Sequence, residues 1–314
     1  MRWVTYDGGT GPRTGLLEAG TIHGLAGDVT LLSLLGDDGE RLAAAGETAR
    51  HDPAEVQPVD EVRLLAPIPR PPSVRDGLCF LEHLRGCYRA LGRPPELHPA
   101  WSQTPAFYFG NPAAVLGPHD DVPIAPGCRW FDFELEIGAV VGRGGRDLHP
   151  DDAEAHIVGY TLFNDWTARD HQLRDMAQGI GMGKSKDSAI TLGPALVTAD
   201  ELAPHRGERG PAFEVAAAVN GTEIARGSLG AMDWSFGELL AFLSRGTELR
   251  TGDVIGSGTV PGGCLLEHVD TADPGDFAGW LAPGDVVSLS GEALGETRQV
   301  VRPATPMTPL RTGY

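Results

Sequence analysis

Apolar and polar residues alternate in short runs along most of this chain, and Gly, Asp and Asn separate the runs. Alternation with a period of two puts successive side chains on opposite faces of a strand, so the pattern predicts a mixed but mainly β fold. Residues 1–65, with "MRWVTYDGG" and "TLLSLLGDDGE", read as a small N-terminal β-rich domain. In residues 66–72 the prolines Pro67, Pro69, Pro71 and Pro72 exclude a helix interior and a central strand, which makes this segment a linker. Residues 73–314 then carry "AAVLG", "FELEIGAVVG", "HIVGYTLFND", "ALVTAD", "AFEVAAAVNGTEIARG", "DVIGSG" and "DVVSLSGEALGETRQVVRP" as strands. Asn220-Gly221 predicts a tight hairpin between two of them. Helical spacing is confined to Leu81–Leu91, Trp166–Met176 and Phe236–Ser244, the last followed by Gly246. Neither an internal repeat nor a nucleotide-binding glycine fingerprint occurs, and the Gly-rich "GRGGRDL" opens no helix.

Composition narrows the function classes. The chain has 314 residues, 41% hydrophobic and 22% charged, as in an ordinary globular protein. Its 43 acidic side chains outnumber 25 basic ones, for a formal charge of -18, which argues against nucleic acid as a partner. No run approaches the roughly 18 apolar residues of a membrane span. "MRWVTYDGGTGPRTG" lacks the apolar core of a signal peptide, so no membrane association and a cytoplasmic location are expected. Cys79, Cys87, Cys128 and Cys264 show no C-x-x-C spacing and read as buried structural thiols.

The acids of "WFDFELEIGAVVG" stand out. Asp132, Glu134 and Glu136 fall on one side of a strand whose other side carries Phe133, Leu135 and Ile137. Such a row is either a solvated face or the oxygen-only donor set that a hard divalent cation prefers. In "TLFNDWTARDHQ", Asp165 stands where a strand gives way to a helical pattern, as an N-cap or as a further donor. Arg169 and Gln172 follow on the same helix face, Gln172 about 10 Å along the axis from Asp165, a span that suits a bound substrate. Lys184 lies in the glycine-rich "GIGMGKSKDS", where backbone can approach a ligand closely, although a solvated lysine is the simpler reading.

"DGLCFLEH" with its Asp-x6-His spacing, "FYFG", "DFELEIG", "NDWTARDHQ", "GKS", "SGT" and "GGCLLE" follow one another in the order found in the fumarylacetoacetate hydrolase family. The resemblance runs from about residue 66 to 303. It implies a β-roll with few helices behind a small N-terminal β-domain, assembled as a homodimer. It implies a metal on four carboxylates, which here match Asp76, Glu134, Glu136 and Asp165, with Asp132 as a neighbour. Mg²⁺ is the expected ion, with Mn²⁺ and Ca²⁺ as alternatives. A catalytic dyad matches His83 and Glu267, and Lys184, Gln172, Tyr108 and Thr259 match residues that contact substrate oxygens; Arg169 is expected beside them.

The chain departs from the pattern in places. Shorter bacterial relatives carry the dyad glutamate three residues after the histidine, where this chain has Gly86. A tyrosine and an arginine that help grip the substrate's distal carboxylate in fumarylacetoacetase correspond to Leu78 and Gly92, with Arg89 and Arg93 nearby. The resulting expectation is a metal-dependent hydrolase that cleaves a C–C bond in a β-diketo acid or acylpyruvate, a small keto-acid substrate, through a metal-bound enolate. His83, held by Glu267, activates water, and Lys184 and Gln172 steady the oxyanion. An isomerase, decarboxylase or dehydratase of a keto acid is the alternative, and a non-catalytic keto-acid binder the third reading.

Overall fold

The computed structural model describes residues 1–269, 277–308 and 310–311. Among these, the largest sheet has twelve strands. Its main path runs Glu55–Pro58, Thr21–Gly24, Pro12–Glu18, Arg2–Asp7, Ile190–Thr198, Ile157–Asp165, Leu135–Val141, Val254–Gly256, Val74–Leu78 and Ala106–Gly110. A second sheet of five strands runs Thr222–Ser228, Glu214–Val219, Val286–Gly291, Gly295–Arg302 and Val122–Pro123. The hairpin at Asn220-Gly221 forms as its sequence requires, with Val219 opposite Thr222 and Asn220 at φ 53°.

Leu135–Val141 is buried on both faces rather than one. Leu135, Ile137, Ala139 and Val141 join the core that holds Val215, Ala217, Val287 and Leu289 of the second sheet. Val140, on the opposite face, packs with Trp3, Phe163 and Val254. Alternation therefore sorts residues between two cores, and Glu136, the one acid on this strand, is buried with them.

The segment before residue 66 is not sealed off. Arg2–Asp7 pairs antiparallel with Ile190–Thr198, setting Trp3 opposite Leu196, so the N-terminal strands extend the main sheet. Five α-helices are present among the described residues: α1 Glu40–His51, α2 Leu81–Ala90, α3 Pro150–Ala153, α4 Arg169–Gln178 and α5 Phe236–Leu243. None is long and apolar enough to cross a membrane. The expected helices appear as α2, α4 and α5. The unexpected α1 buries only Leu42, Gly46 and Ala49, a narrow stripe of mostly small residues at i, i+4 and i+7 that the β-rich reading overlooked.

Candidate active site

Strand register brings the acids together. Asp76 on Val74–Leu78 is level with Gly256 on one side and Tyr108 on the other, and Gly256 neighbours Gly138, two residues beyond Glu136. Glycine at 256 is what lets the carboxylates meet: a Cβ there would lie 2.1 Å from Asp76 Oδ1 and 3.1 Å from Glu136 Oε2. Asp165, the last residue of Ile157–Asp165, completes the group, and one oxygen from each of Asp76, Glu136 and Asp165 lies within 4.8 Å of the others. Asp165 is no N-cap, because α4 begins four residues later behind Ala168. Its Oδ2 accepts the Tyr108 hydroxyl at 2.6 Å and a hydrogen bond from Lys186. Thr259 donates its hydroxyl to Glu136 Oε1 at 3.1 Å.

The charges are unevenly compensated. Arg169 pairs with Asp132 and Glu134, each at 2.8 Å, and Lys186 bonds Glu134 and Asp165. Burial pushes the Glu134 carboxyl upward, but Lys186 and Arg169 hold it below the usual carboxylate range. The converging three behave oppositely. Burial raises Asp76 to about 6 and Asp165 to about 8 against the pull of Lys186, and burial with the neighbouring Asp76 lifts Glu136 well above its ordinary value. Glu136 Oε2 and Asp165 Oδ1 are buried without a hydrogen-bond partner. Three converging carboxylates, two of them with an unpartnered oxygen, fit a hard divalent cation. Of the four carboxylates expected as ligands, the structure converges these three, whereas both oxygens of Glu134 are committed to cations.

His83 lies on the buried face of α2 with Gly86, Cys87 and Ala90, at i, i+3, i+4 and i+7. Its Nδ1 is 2.6 Å from Glu267 Oε1, across a chain separation of 184 residues, and both side chains are nearly buried. Gly86 makes room for that partner, since a Cβ at 86 would lie 2.3 Å from Glu267 Oε2. The glycine that departs from the shorter relatives' pattern is thus the space Glu267 fills. Burial opposes charge on the ring, but Cys264 and Glu267 outweigh it and raise His83 to about 10.

One expected residue stands apart from the others. The Lys184 side chain is 75% exposed and paired with Asp187. The lysine that lines the cavity is Lys186, at 5% exposure. Both lie in the 3-10 turn Lys184–Lys186, where residues two apart point in different directions. Gln172 accepts from Arg169 Nη1 at 3.2 Å and lines a cavity of ≈ 300 Å³ together with His83, Asp76, Glu136, Tyr108 and Lys186. Leu78 and Arg93 also border this cavity.

The Rv2993c-like, N-terminal family matches residues 1–67, and the fumarylacetoacetate (FAA) hydrolase C-terminal family matches residues 73–302. Oxaloacetate tautomerase FAHD2A, mitochondrial, of Homo sapiens is 31% identical over 293 residues, covering 91% of this chain and 86% of that protein. The fumarylacetoacetate hydrolase of the psychrophile Exiguobacterium antarcticum is similar in structure at a TM-score of 0.73 and 28% identity, over 97% of this chain and 100% of that one. Maleylpyruvate hydrolase from Sphingobium sp. SYK-6, solved with manganese (II) ion and pyruvate, shares the fold at a TM-score of 0.71 and 21% identity, over 97% and 100% of the two chains. The match over residues 73–302 takes in every acid, the histidine and the lysine that meet in the cavity, and this chain is an enzyme of the fumarylacetoacetate hydrolase family.

Proposed function

We propose that this enzyme interconverts the enol and keto forms of a small 2-oxo acid of the oxaloacetate type, with a divalent cation, Mg²⁺ or Mn²⁺, held by Asp76, Glu136 and Asp165. The observation that carries the reading is the His83–Glu267 pair at 2.6 Å, whose histidine lines the same cavity as Asp76 and Glu136. The relationship to an oxaloacetate tautomerase supports the substrate class, and the manganese of the Sphingobium enzyme supports the choice of ion.

The cation, when bound, supplies Lewis-acid charge and a template for two neighbouring substrate oxygens. The chain's own residues do the rest. Glu267 holds the Nδ1 proton of His83, which leaves the Nε2 proton for transfer to the substrate carbon. With its value raised to about 10, the ring starts as the acid at neutral pH, the state that ketonisation needs. Lys186 sets a fixed positive charge beside an oxygen that gains electron density, and the Gln172 amide offers a further donor. Leu84, Leu91, Trp101 and Met176 wall the cavity and limit water.

C–C hydrolysis of a β-diketo acid or acylpyruvate is the second reading, favoured by the same pair, because an imidazole oriented by a carboxylate also takes a proton from water. The deciding experiment follows enol absorbance of oxaloacetate and of an acylpyruvate with Mg²⁺, with Mn²⁺ and with excess chelator, and identifies the products. Metal-dependent loss of enol with the carbon skeleton intact is the expected result. Two carbon products would move the assignment to the hydrolase, and enol decay unchanged by the enzyme for both compounds would refute both.

A further inference from the structure

The dyad is set in a pocket of sulfur. Cys87, one turn after His83 on α2, has its Sγ 3.7 Å from His83 Nε2 and 3.9 Å from Nδ1. Cys264, at the start of the 3-10 turn that carries Glu267, has its Sγ 3.6 Å from Glu267 Oε1. One donor atom from each of His83, Cys87 and Cys264 lies within 4.8 Å of the other two, and all three residues are buried. The two cysteines pack with Ala90 and Leu266 in a small apolar cluster, so the donors are held by helix and turn rather than by a mobile loop.

We infer that His83, Cys87 and Cys264 form a second cation site, selective for a thiophilic divalent ion such as Zn²⁺ or Cd²⁺, while Glu267 keeps its hydrogen bond to His83 Nδ1. A tetrahedral zinc ion with bonds of about 2.3 Å to sulfur and about 2.0 Å to nitrogen or oxygen sets its ligand atoms roughly 3.4–3.8 Å apart. The 3.7 Å between Cys87 Sγ and His83 Nε2 already matches that spacing. Soft sulfur donors distinguish this place from the oxygen-only group of Asp76, Glu136 and Asp165, so the two sites sort cations by chemistry. Binding releases the two thiol protons and the ring proton at the coordinating nitrogen to water, and the thiolates and the imidazole lone pair form the bonds. Cys87 and His83 both line the cavity of ≈ 300 Å³, which gives an ion a path inward. Occupation takes the ring of His83 out of proton transfer, so such an ion inhibits; this consequence alone rests on the function proposed above.

The test titrates Cd²⁺ into the full-length protein with Mg²⁺ in excess, reading the thiolate-to-Cd²⁺ charge-transfer band in the ultraviolet and turnover in the same samples. The expected result is a band saturating at one Cd²⁺ per chain and lowered by about half in Cys87→Ser and in Cys264→Ser, each of which removes one of two thiolates. The Cys79→Ser/Cys128→Ser double variant keeps the band in full. Anomalous scattering from wild-type crystals soaked in Cd²⁺ places the ion between the two Sγ atoms without relying on any variant. Absence of the band, a band that survives Cys87→Ser/Cys264→Ser, or an anomalous peak elsewhere overturns the site. A band at one equivalent with turnover intact upholds the site and counts instead against the role given to His83.

Discussion

Replacing Gly86 by Ala should disrupt the dyad without altering either of its side chains. Gly86 is in the interior of α2, where alanine is the better helix former by roughly 0.5–1 kcal/mol, so the backbone itself favours the change. The new Cβ would lie 2.3 Å from Glu267 Oε2 and 3.0 Å from its Cδ. The carboxylate must withdraw by about 1 Å to reach ordinary contact, and as the end of a flexible side chain it can do so by giving up its hold on His83. That withdrawal stretches the bond of 2.6 Å to His83 to beyond about 3.5 Å, where it is no longer a hydrogen bond. If the pair acts as a unit, turnover falls by roughly 10², or about 2.7 kcal/mol in the barrier, and the thermal midpoint falls at neutral pH as well, because the buried His83 ring loses a partner that holds it protonated. Enol-decay kinetics and a melting curve on one preparation measure both. Glu267→Asp, one methylene shorter, should restore part of the activity in the Gly86→Ala background. Full activity in Gly86→Ala would refute the reasoning, and so would a thermal midpoint unchanged at neutral pH.

The two lysines offer a direct comparison: Lys186→Met should lower turnover by roughly 10² or more, whereas Lys184→Met should stay within about twofold of wild type, as steady-state kinetics would show. Arg169→Met leaves Asp132 and Glu134 buried without their shared cation and should destabilise the protein by about 3–5 kcal/mol in a denaturant titration. His83 has a folded value of about 10 against an ordinary 6.5, so its contribution to stability is complete below 6.5 and is lost as pH rises through about 10. Ketonisation that uses the imidazolium should fall over the same upper range in a pH–rate profile, while hydrolysis by a neutral imidazole would rise toward it.

Much of this architecture could be read along the chain because one physical signal dominated each element. Alternating residues marked the strands, Asn220-Gly221 marked the hairpin, and 3.6-residue spacing marked α2, α4 and α5. Helix α1 escaped because its buried stripe is made of Leu42, Gly46 and Ala49, whose small side chains leave a weak apolar period. The depth of Leu135–Val141 escaped because a strand between two cores alternates just as a half-exposed one does until a glutamate interrupts it. That Lys186 rather than Lys184 lines the cavity turns on which way a short turn faces, and in "GKSKD" both lysines have the same local chemistry. The sulfur pocket depends on bringing Cys87 to Cys264, a tertiary contact that no spacing within either motif encodes.

The same structure couples protons and cations at the carboxylates. Asp132, Glu134, Glu136, Asp165 and Asp76 are all buried, and the buried cations Arg169 and Lys186 are spent mainly on Asp132, Glu134 and Asp165. Asp76 and Asp165 are therefore raised in the folded protein, to about 6 and about 8, chiefly by burial. Because a raised carboxylate prefers its protonated form when folded, the stability it contributes is complete below the unfolded value near 3.8. That contribution drains away as pH climbs toward the folded values. A divalent ion on these oxygens reverses the preference by favouring the ionised form, and it must displace whatever protons remain. The stabilisation conferred by a fixed Mn²⁺ concentration should therefore grow between pH 6 and 8, read as the difference in melting temperature with and without chelator, because fewer protons compete for the same three carboxylates. A difference that stays flat or shrinks across that range would mean that the ion binds elsewhere, and Asp76→Asn/Asp165→Asn, which removes both titrating donors, should abolish the pH dependence along with the stabilisation.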